Sequence, residues 1–83
     1  MYYVYVLQNP DGTLYKGYTS NLDERIRYHN SGWSRSTKKR GPWRLVYVEQ
    51  VVTKTEALKR ERFLKSGKGR DFIKKKVASA LSS

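Results

Sequence analysis

Residues 2–7, Tyr-Tyr-Val-Tyr-Val-Leu, form a β-branched and aromatic run that reads as a strand. Asn9-Pro10-Asp11-Gly12 follows as a turn, with Pro10 fixing φ and Gly12 free to take positive φ. A second strand then spans Thr13 to Thr19. A three-residue loop with Gly12 left-handed sets Leu7 opposite Tyr15 and Tyr5 opposite Gly17. Tyr3, Tyr5, Tyr15 and Gly17 then share one face, whereas a two-residue loop would shift the parity and separate the tyrosines. Ser20-Asn21-Leu22-Asp23-Glu24 opens a helix, capped by Asn21 or Ser20 with acids in the first turn, that runs to about Asn30 and stops at Ser31-Gly32. Residues 32–43 read as a long loop. Arg44 to Val52 is a third strand, with Val46 and Val48 alternating against Leu45 and Tyr47. Thr53-Lys54-Thr55-Glu56 fits a capping box for a second helix ending near Ser66-Gly67. A third helix over 70–81 carries Phe72, Ile73, Val77 and Leu81, with Lys74-Lys75-Lys76 facing solvent.

Eighty-three residues suffice for one domain and one core. Without cysteine, neither a disulfide nor a thiolate zinc site can staple it, so aliphatic and aromatic side chains must carry the stability. No apolar run approaches the roughly 20 residues of a membrane span. The N-terminus, Met1-Tyr2-Tyr3-Val4, lacks the basic and long apolar regions of a signal peptide, which makes a cytoplasmic location the default expectation. Eighteen Lys and Arg against seven Asp and Glu leave a net charge of +11. Such an excess repels itself, and a polyanion relieves the repulsion. Nucleic acid fits better than a membrane surface, because the cations are spread along the chain rather than gathered on a strongly amphipathic terminal helix.

Several polar residues fall on faces that packing alone would make apolar. At about 100° per residue, Leu22, Arg25, Ile26 and His29 share one side of the first helix. Both Arg25 and His29 therefore border the sheet or a cleft. A structural account has the arginine stem lying over the core and the histidine capping a carbonyl. In the second helix Ala57, Leu58, Glu61, Leu64 and Lys65 share a face, with Glu61 near its middle. A carboxylate there is paired or binds a cation; the structural account is a Glu61–Lys65 pair at i,i+4. Tyr5 and Tyr15 taken alone suit core or cross-strand packing equally well. Residues 35–44 hold Arg35, Lys38, Lys39, Arg40 and Arg44 but no acid, with Trp33 and Trp43 at the margins, which suits phosphate contact and base stacking. The competing reading is a solvated loop with its tryptophans tucked into the core.

The order Tyr3-Val4-Tyr5, then Tyr15-Lys16-Gly17, then Arg25 and His29, then Glu61, resembles the GIY-YIG nuclease family, in particular its small single-domain bacterial members. The likeness runs from residue 2 to about 66 and includes His29-Asn30-Ser31-Gly32 and Glu56-Ala57-Leu58…Glu61…Lys65. Tyr3 stands where the family's first glycine stands, and Val4 and Lys16 replace its isoleucines. None of these is a side chain that performs the family's chemistry.

The resemblance implies an α/β chain of the α+β type, a small three-stranded and largely antiparallel sheet flanked by about three helices. It implies DNA phosphodiester hydrolysis with one divalent ion, Mg²⁺ or Mn²⁺, weakly bound without substrate. Tyr5 and Tyr15 would be the motif tyrosines, Arg25 would neutralise transition-state charge, His29 would assist Tyr5 as base, and Glu61 would ligate the metal. Arg25 and Lys16 would help lower the Tyr5 phenol toward neutrality. Gly17, Lys16 and Lys65 would position substrate. DNA is the expected partner, with RNA also admitted, and targeting would fall to a protein partner since no added domain is present. The alternatives are a nucleic-acid-binding module of the same fold without catalysis and, more remotely, a protein-docking adaptor.

Overall fold

A computed structural model of the chain describes residues 1–31 and 41–82, with side chains described through residue 78. Three strands, β1 (Tyr2–Gln8), β2 (Leu14–Thr19) and β3 (Arg44–Val51), form an antiparallel sheet in the order β2-β1-β3. Helix α1 (Leu22–Asn30) follows β2, and α2 (Lys54–Lys65) and α3 (Gly67–Ser82) follow β3. The expected α/β architecture is therefore present, with one limit each of β2 and β3 shifted by a residue.

The central strand is buried on both faces, and its two-residue period divides the core. Val4 and Val6 pack against Ala57 and Leu64 of α2 and Ile73 and Val77 of α3. Tyr5 and Leu7 face the other way, toward Trp43 and, from α1, Leu22 and Ile26. The hairpin has the register expected of the three-residue loop: Gly12 sits at φ 87°, Leu7 pairs with Tyr15, and Tyr5 pairs with Gly17. Asn9 N–H donates to Thr13 C=O at 3.1 Å, closing the loop over Pro10, Asp11 and Gly12.

Both helix starts follow their sequence signals. Asn21 Oδ1 accepts from Glu24 N–H at 3.1 Å, and Thr53 Oγ1 accepts from Glu56 N–H at 3.2 Å. Two expectations need correction. Simple alternation along β3 fails because the register shifts between Val6 and Leu7. The resulting bulge leaves Val46 as an extra residue, so Val46 and Tyr47 both join the α2/α3 side while Leu45 stays with Trp43. The third helix also begins earlier than residue 70. Ser66 is extended and breaks the helix by itself; its Oγ accepts from Gly69 N–H at 3.2 Å, so α3 is capped at once. Gly69 is needed there because a Cβ would run into the Phe63 carbonyl. Lys74, Lys75 and Lys76 are exposed as expected.

Away from the hairpin edge, Arg60 ties β3 to the helices. Its Nε donates to both Glu49 oxygens, at 2.9 and 2.8 Å, and its guanidinium lies over Phe63 and Phe72, 4.6 and 5.1 Å from their centroids. Tyr47 Oη donates to Glu49 Oε2 at 2.6 Å.

Candidate active site

Beside β2 the molecule opens a cleft of about 390 Å³ whose walls come from four elements. Tyr5 reaches it from β1, Tyr15, Lys16 and Gly17 from β2, Arg25 from α1, and Glu61 and Lys65 from α2. Because β2 is an edge strand, both of its faces take part. Tyr15 and Gly17 lie on the α1 side, and Lys16 lies opposite Val6 on the α2 side. Gly17 makes the approach of Tyr5 possible. A Cβ at residue 17 would stand 2.7 Å from Tyr5 Oη and 2.9 Å from Cζ, so any larger residue would displace the phenol.

Tyr5 and His29 form the inner layer. Tyr5 is 2% exposed and its Oη lies 2.9 Å from His29 Nε2. His29 is itself 2% exposed, and its ring packs 4.5 Å from that of Tyr15. It stands behind Tyr5 and is not among the residues that line the cleft. Direct contact with the cleft does not describe this position. Burial holds the Tyr5 phenol well above the usual tyrosine value, Tyr15 and Glu61 add to that, and Arg25 offsets only part. The expectation that cations would bring this phenol toward neutrality is thus reversed, because desolvation of the phenolate outweighs the nearby guanidinium. Burial, helped by Arg25, also lowers the His29 imidazole, so it is neutral at pH 7. A neutral imidazole with its proton on Nδ1 accepts the Tyr5 hydroxyl proton at Nε2.

The outer layer is charged. Arg25 is exposed along the cleft wall, with its guanidinium 5.4 Å from the Tyr28 ring. The Glu61 side chain is 18% exposed, and its Oε1 accepts from Lys65 Nζ at 2.9 Å. The i,i+4 pair of the structural account exists, but it lies in the cleft wall. Oε2 of Glu61 has no protein hydrogen bond among the described residues. No group of three or more His, Cys, Asp or Glu able to hold a metal occurs among them either. One open carboxylate oxygen beside an open cleft fits a hydrated Mg²⁺ or Mn²⁺, which takes one or two carboxylates and completes its shell with water and substrate oxygens.

Other expected residues fall elsewhere. Arg44 is exposed in a separate hollow with Gln8, Pro10 and Pro42, which shares no residue with the cleft. Trp43 is 4% exposed in the core with Tyr5 and Leu7, so it offers no face to a base, and the core reading of this tryptophan is the correct one. Trp33, Arg35, Lys38, Lys39 and Arg40 lie outside the described residues. The sequence reading missed Lys54 and Tyr18, which also line the cleft, and Arg70 beyond it. Tyr18 could have been found from the Lys16–Tyr18 parity of β2; Arg70 could not, since it depends on the bend at Ser66.

The model of the GIY-YIG catalytic domain matches residues 1–76. A UPF0213 protein of Clostridium perfringens is 47% identical over 66 residues, covering 78% of this chain and 71% of its own length. One from Staphylococcus saprophyticus is 46% identical over 66 residues, covering 78% of this chain and 80% of its own. The solution NMR structure of the UPF0213 protein BH0048 from Bacillus halodurans aligns with a TM-score of 0.54 at 39% identity, over 88% of this chain and 82% of that one.

Proposed function

The chain belongs to the GIY-YIG family of nucleases, and from that premise we propose that it is a metal-dependent endonuclease. Its reaction is hydrolysis of DNA phosphodiester bonds, directed by structure or by weak sequence preference. The observation that carries this reading is the convergence of Tyr5, Tyr15, Arg25 and Glu61, from four elements, on one open cleft. A binder of nucleic acid needs cations there but has no use for a half-buried carboxylate facing a phosphate.

In this reading the scissile phosphate lies between Arg25 and Glu61. Arg25 offsets charge that builds on the non-bridging oxygens. An attacking water gives its proton to Tyr5 Oη as the Tyr5 proton passes to His29 Nε2, so no free phenolate forms and the high phenol pKa is no obstacle. Tyr15, whose ring lies 6.4 Å from that of Tyr5, orients the water or a phosphate oxygen. Lys16 and Lys65 add positive charge along the strand's path. When bound at Glu61, a divalent ion supplies Lewis-acid polarisation of the phosphate and offsets charge on the leaving oxygen. Arg35, Lys38, Lys39 and Arg40 are assigned to backbone contact on their charge.

A second reading, a binding module without catalysis, draws on the Lys65–Glu61 pair, which already satisfies one carboxylate oxygen. Incubation with branched, nicked, single-stranded and duplex DNA, and with RNA, in Mg²⁺ or Mn²⁺ separates the two. Cleavage that disappears in Glu61→Ala and Arg25→Ala while binding persists supports the nuclease. Binding with no cut in any substrate favours the module.

A further inference from the structure

The cleft does not end at Glu61. Tyr15, Lys16 and Lys65 line both it and a second cavity of about 320 Å³, so the two hollows share a wall. Arg70, in the first turn of α3, lines only the second. Three cations therefore meet there, from the edge strand, the last turn of α2 and the first turn of α3. The tight bend at Ser66 brings the last two together. Among the described residues, neither Lys16 nor Arg70 has an ion pair or side-chain hydrogen bond, and Glu61 is the one acid that lines either cavity. Burial first, then Arg70 and Lys65, lowers the Lys16 ammonium below the ordinary lysine value. Beyond the burial, part of that shift is repulsion among the three cations, which a bound anion would relieve. Leu14 and Tyr15 give the cavity an apolar wall against which a sugar can lie.

We infer that this second cavity is a subsite for the phosphate adjoining the scissile one on the same nucleic-acid strand, held by Lys16, Lys65 and Arg70, with Arg70 as its positioning residue. The shared wall supplies the adjacency: a strand seated against Arg25 and Glu61 presents its next phosphate across Lys16 and Lys65. The planar guanidinium of Arg70 suits two oxygens of one phosphate. Only the word scissile rests on the nuclease reading; occupancy by two consecutive phosphates does not.

The test is an NMR titration of ¹⁵N-labelled protein in EDTA, where no cleavage occurs. The probes are thymidine 5′-phosphate, 5′-phosphorylated dithymidylate, which adds a second phosphate, and inorganic phosphate. The dinucleotide should bind more tightly than the mononucleotide and should shift the Lys16, Lys65 and Arg70 signals further. Arg70→Gln should weaken dinucleotide binding about fivefold or more, the loss expected of one partly exposed charged contact, and mononucleotide binding less than twofold. Arg70→Lys should recover part of the loss. Lys75→Gln, an exposed charge on the same helix, controls for bulk charge. Equal effects of Arg70→Gln and Lys75→Gln overturn the subsite, as does a dinucleotide no tighter than the mononucleotide. Inorganic phosphate binding the cavity as tightly as the dinucleotide overturns it too, since a free anion would then be the occupant. Cleavage is scored separately on longer DNA. A protein that discriminates the probes as stated but cuts nothing keeps the subsite and loses the nuclease reading; a protein that cuts but does not discriminate loses only the subsite.

Discussion

Gly17→Ala should damage the molecule at one identifiable point. The added Cβ would stand 2.7 Å from Tyr5 Oη, 2.9 Å from Tyr5 Cζ and 3.3 Å from Tyr15 Cε1. Tyr5 cannot swing out of the way: it is 2% exposed, its hydroxyl is bound to His29, and its ring is stacked between core residues. Ordinary contact requires about 0.7 Å of displacement, and forcing a methyl into a packed site costs about 1–3 kcal/mol. In a domain of this size that lowers the melting temperature by about 4–24 °C. The displacement also draws Oη off the line between water and His29, and a misplacement approaching 1 Å costs about tenfold to a hundredfold in rate. Thermal melts and single-turnover cleavage, the latter run well below the variant's melting point, read the two effects separately. Adding Tyr5→Phe removes the atom at 2.7 Å but leaves Cζ at 2.9 Å, so stability should return only in part. A Gly17→Ala protein that melts within about 2 °C of the parent and cleaves at the parental rate would refute the close approach of Tyr5 to β2.

Four further outcomes follow from the structure. Because the folded His29 titrates below its unfolded value near 6.5, the unfolded chain takes up the extra proton first as pH falls. Stability should therefore drop from pH 7 downward through about 6.5, and cleavage should fall only at lower pH, where the folded imidazole itself takes up a proton; His29→Gln should flatten the stability profile, and an unchanged profile would count against the buried neutral imidazole. The raised Tyr5 phenol has the opposite linkage: above about pH 10 the unfolded chain loses its proton first, so stability falls on the alkaline side, less so in Tyr5→Phe. Arg60→Ala removes the Nε contacts to Glu49 and the stacking on Phe63 and Phe72, and with the pair 33% and 22% exposed the loss should be about 1–2 kcal/mol. Arg60→Lys should restore less than half of that in a denaturant melt, since an ammonium does not lie flat on the rings. Lys65→Met should raise Mn²⁺ affinity in the absence of DNA about two- to thirtyfold by electron paramagnetic resonance, the lower limit reflecting loss of a screened ion pair and the upper one removal of a cation about 4 Å from a divalent ion in water.

Much of the fold was legible because its signals are local. The Pro10-Asp11-Gly12 loop set the hairpin register, and the two helix caps, Asn21 and Thr53, lay where the side-chain pattern put them. The bulge at Val46 was not legible, since it depends on which side of β3 the helices cover, and β-branched residues on either side look alike. Likewise, Gly67 reads as a helix stop, yet only the packing of Gly69 against the Phe63 carbonyl shows that the chain turns one residue earlier and continues as helix. Within the site, spacing alone brought Arg25 and Glu61 to the right faces. It could not rank them by depth. Whether His29 touches the cleft or supports Tyr5 from behind is decided by tertiary packing, as is the direction of the Tyr5 shift, because one guanidinium competes there with the removal of water from an entire ring.

In the proposed reaction that difference in depth divides the labour of the site. The groups to which the proposed reaction assigns protons, Tyr5 and His29, are buried, so their placement is set by packing that the core enforces anyway. Groups that handle charge, Arg25, Lys65 and Arg70, are exposed side chains at the rim, each fixed only by the helix that carries it. Burying those cations with one carboxylate among them would be prohibitive. Left in water, they repel one another through a screened medium, and arriving phosphates supply the missing countercharge. Inner substitutions should therefore move stability and rate together. Outer ones should move rate and salt dependence while the melting temperature stays put. A site assembled the other way round, with buried cations and an exposed tyrosine pair, would show the reverse pairing of effects.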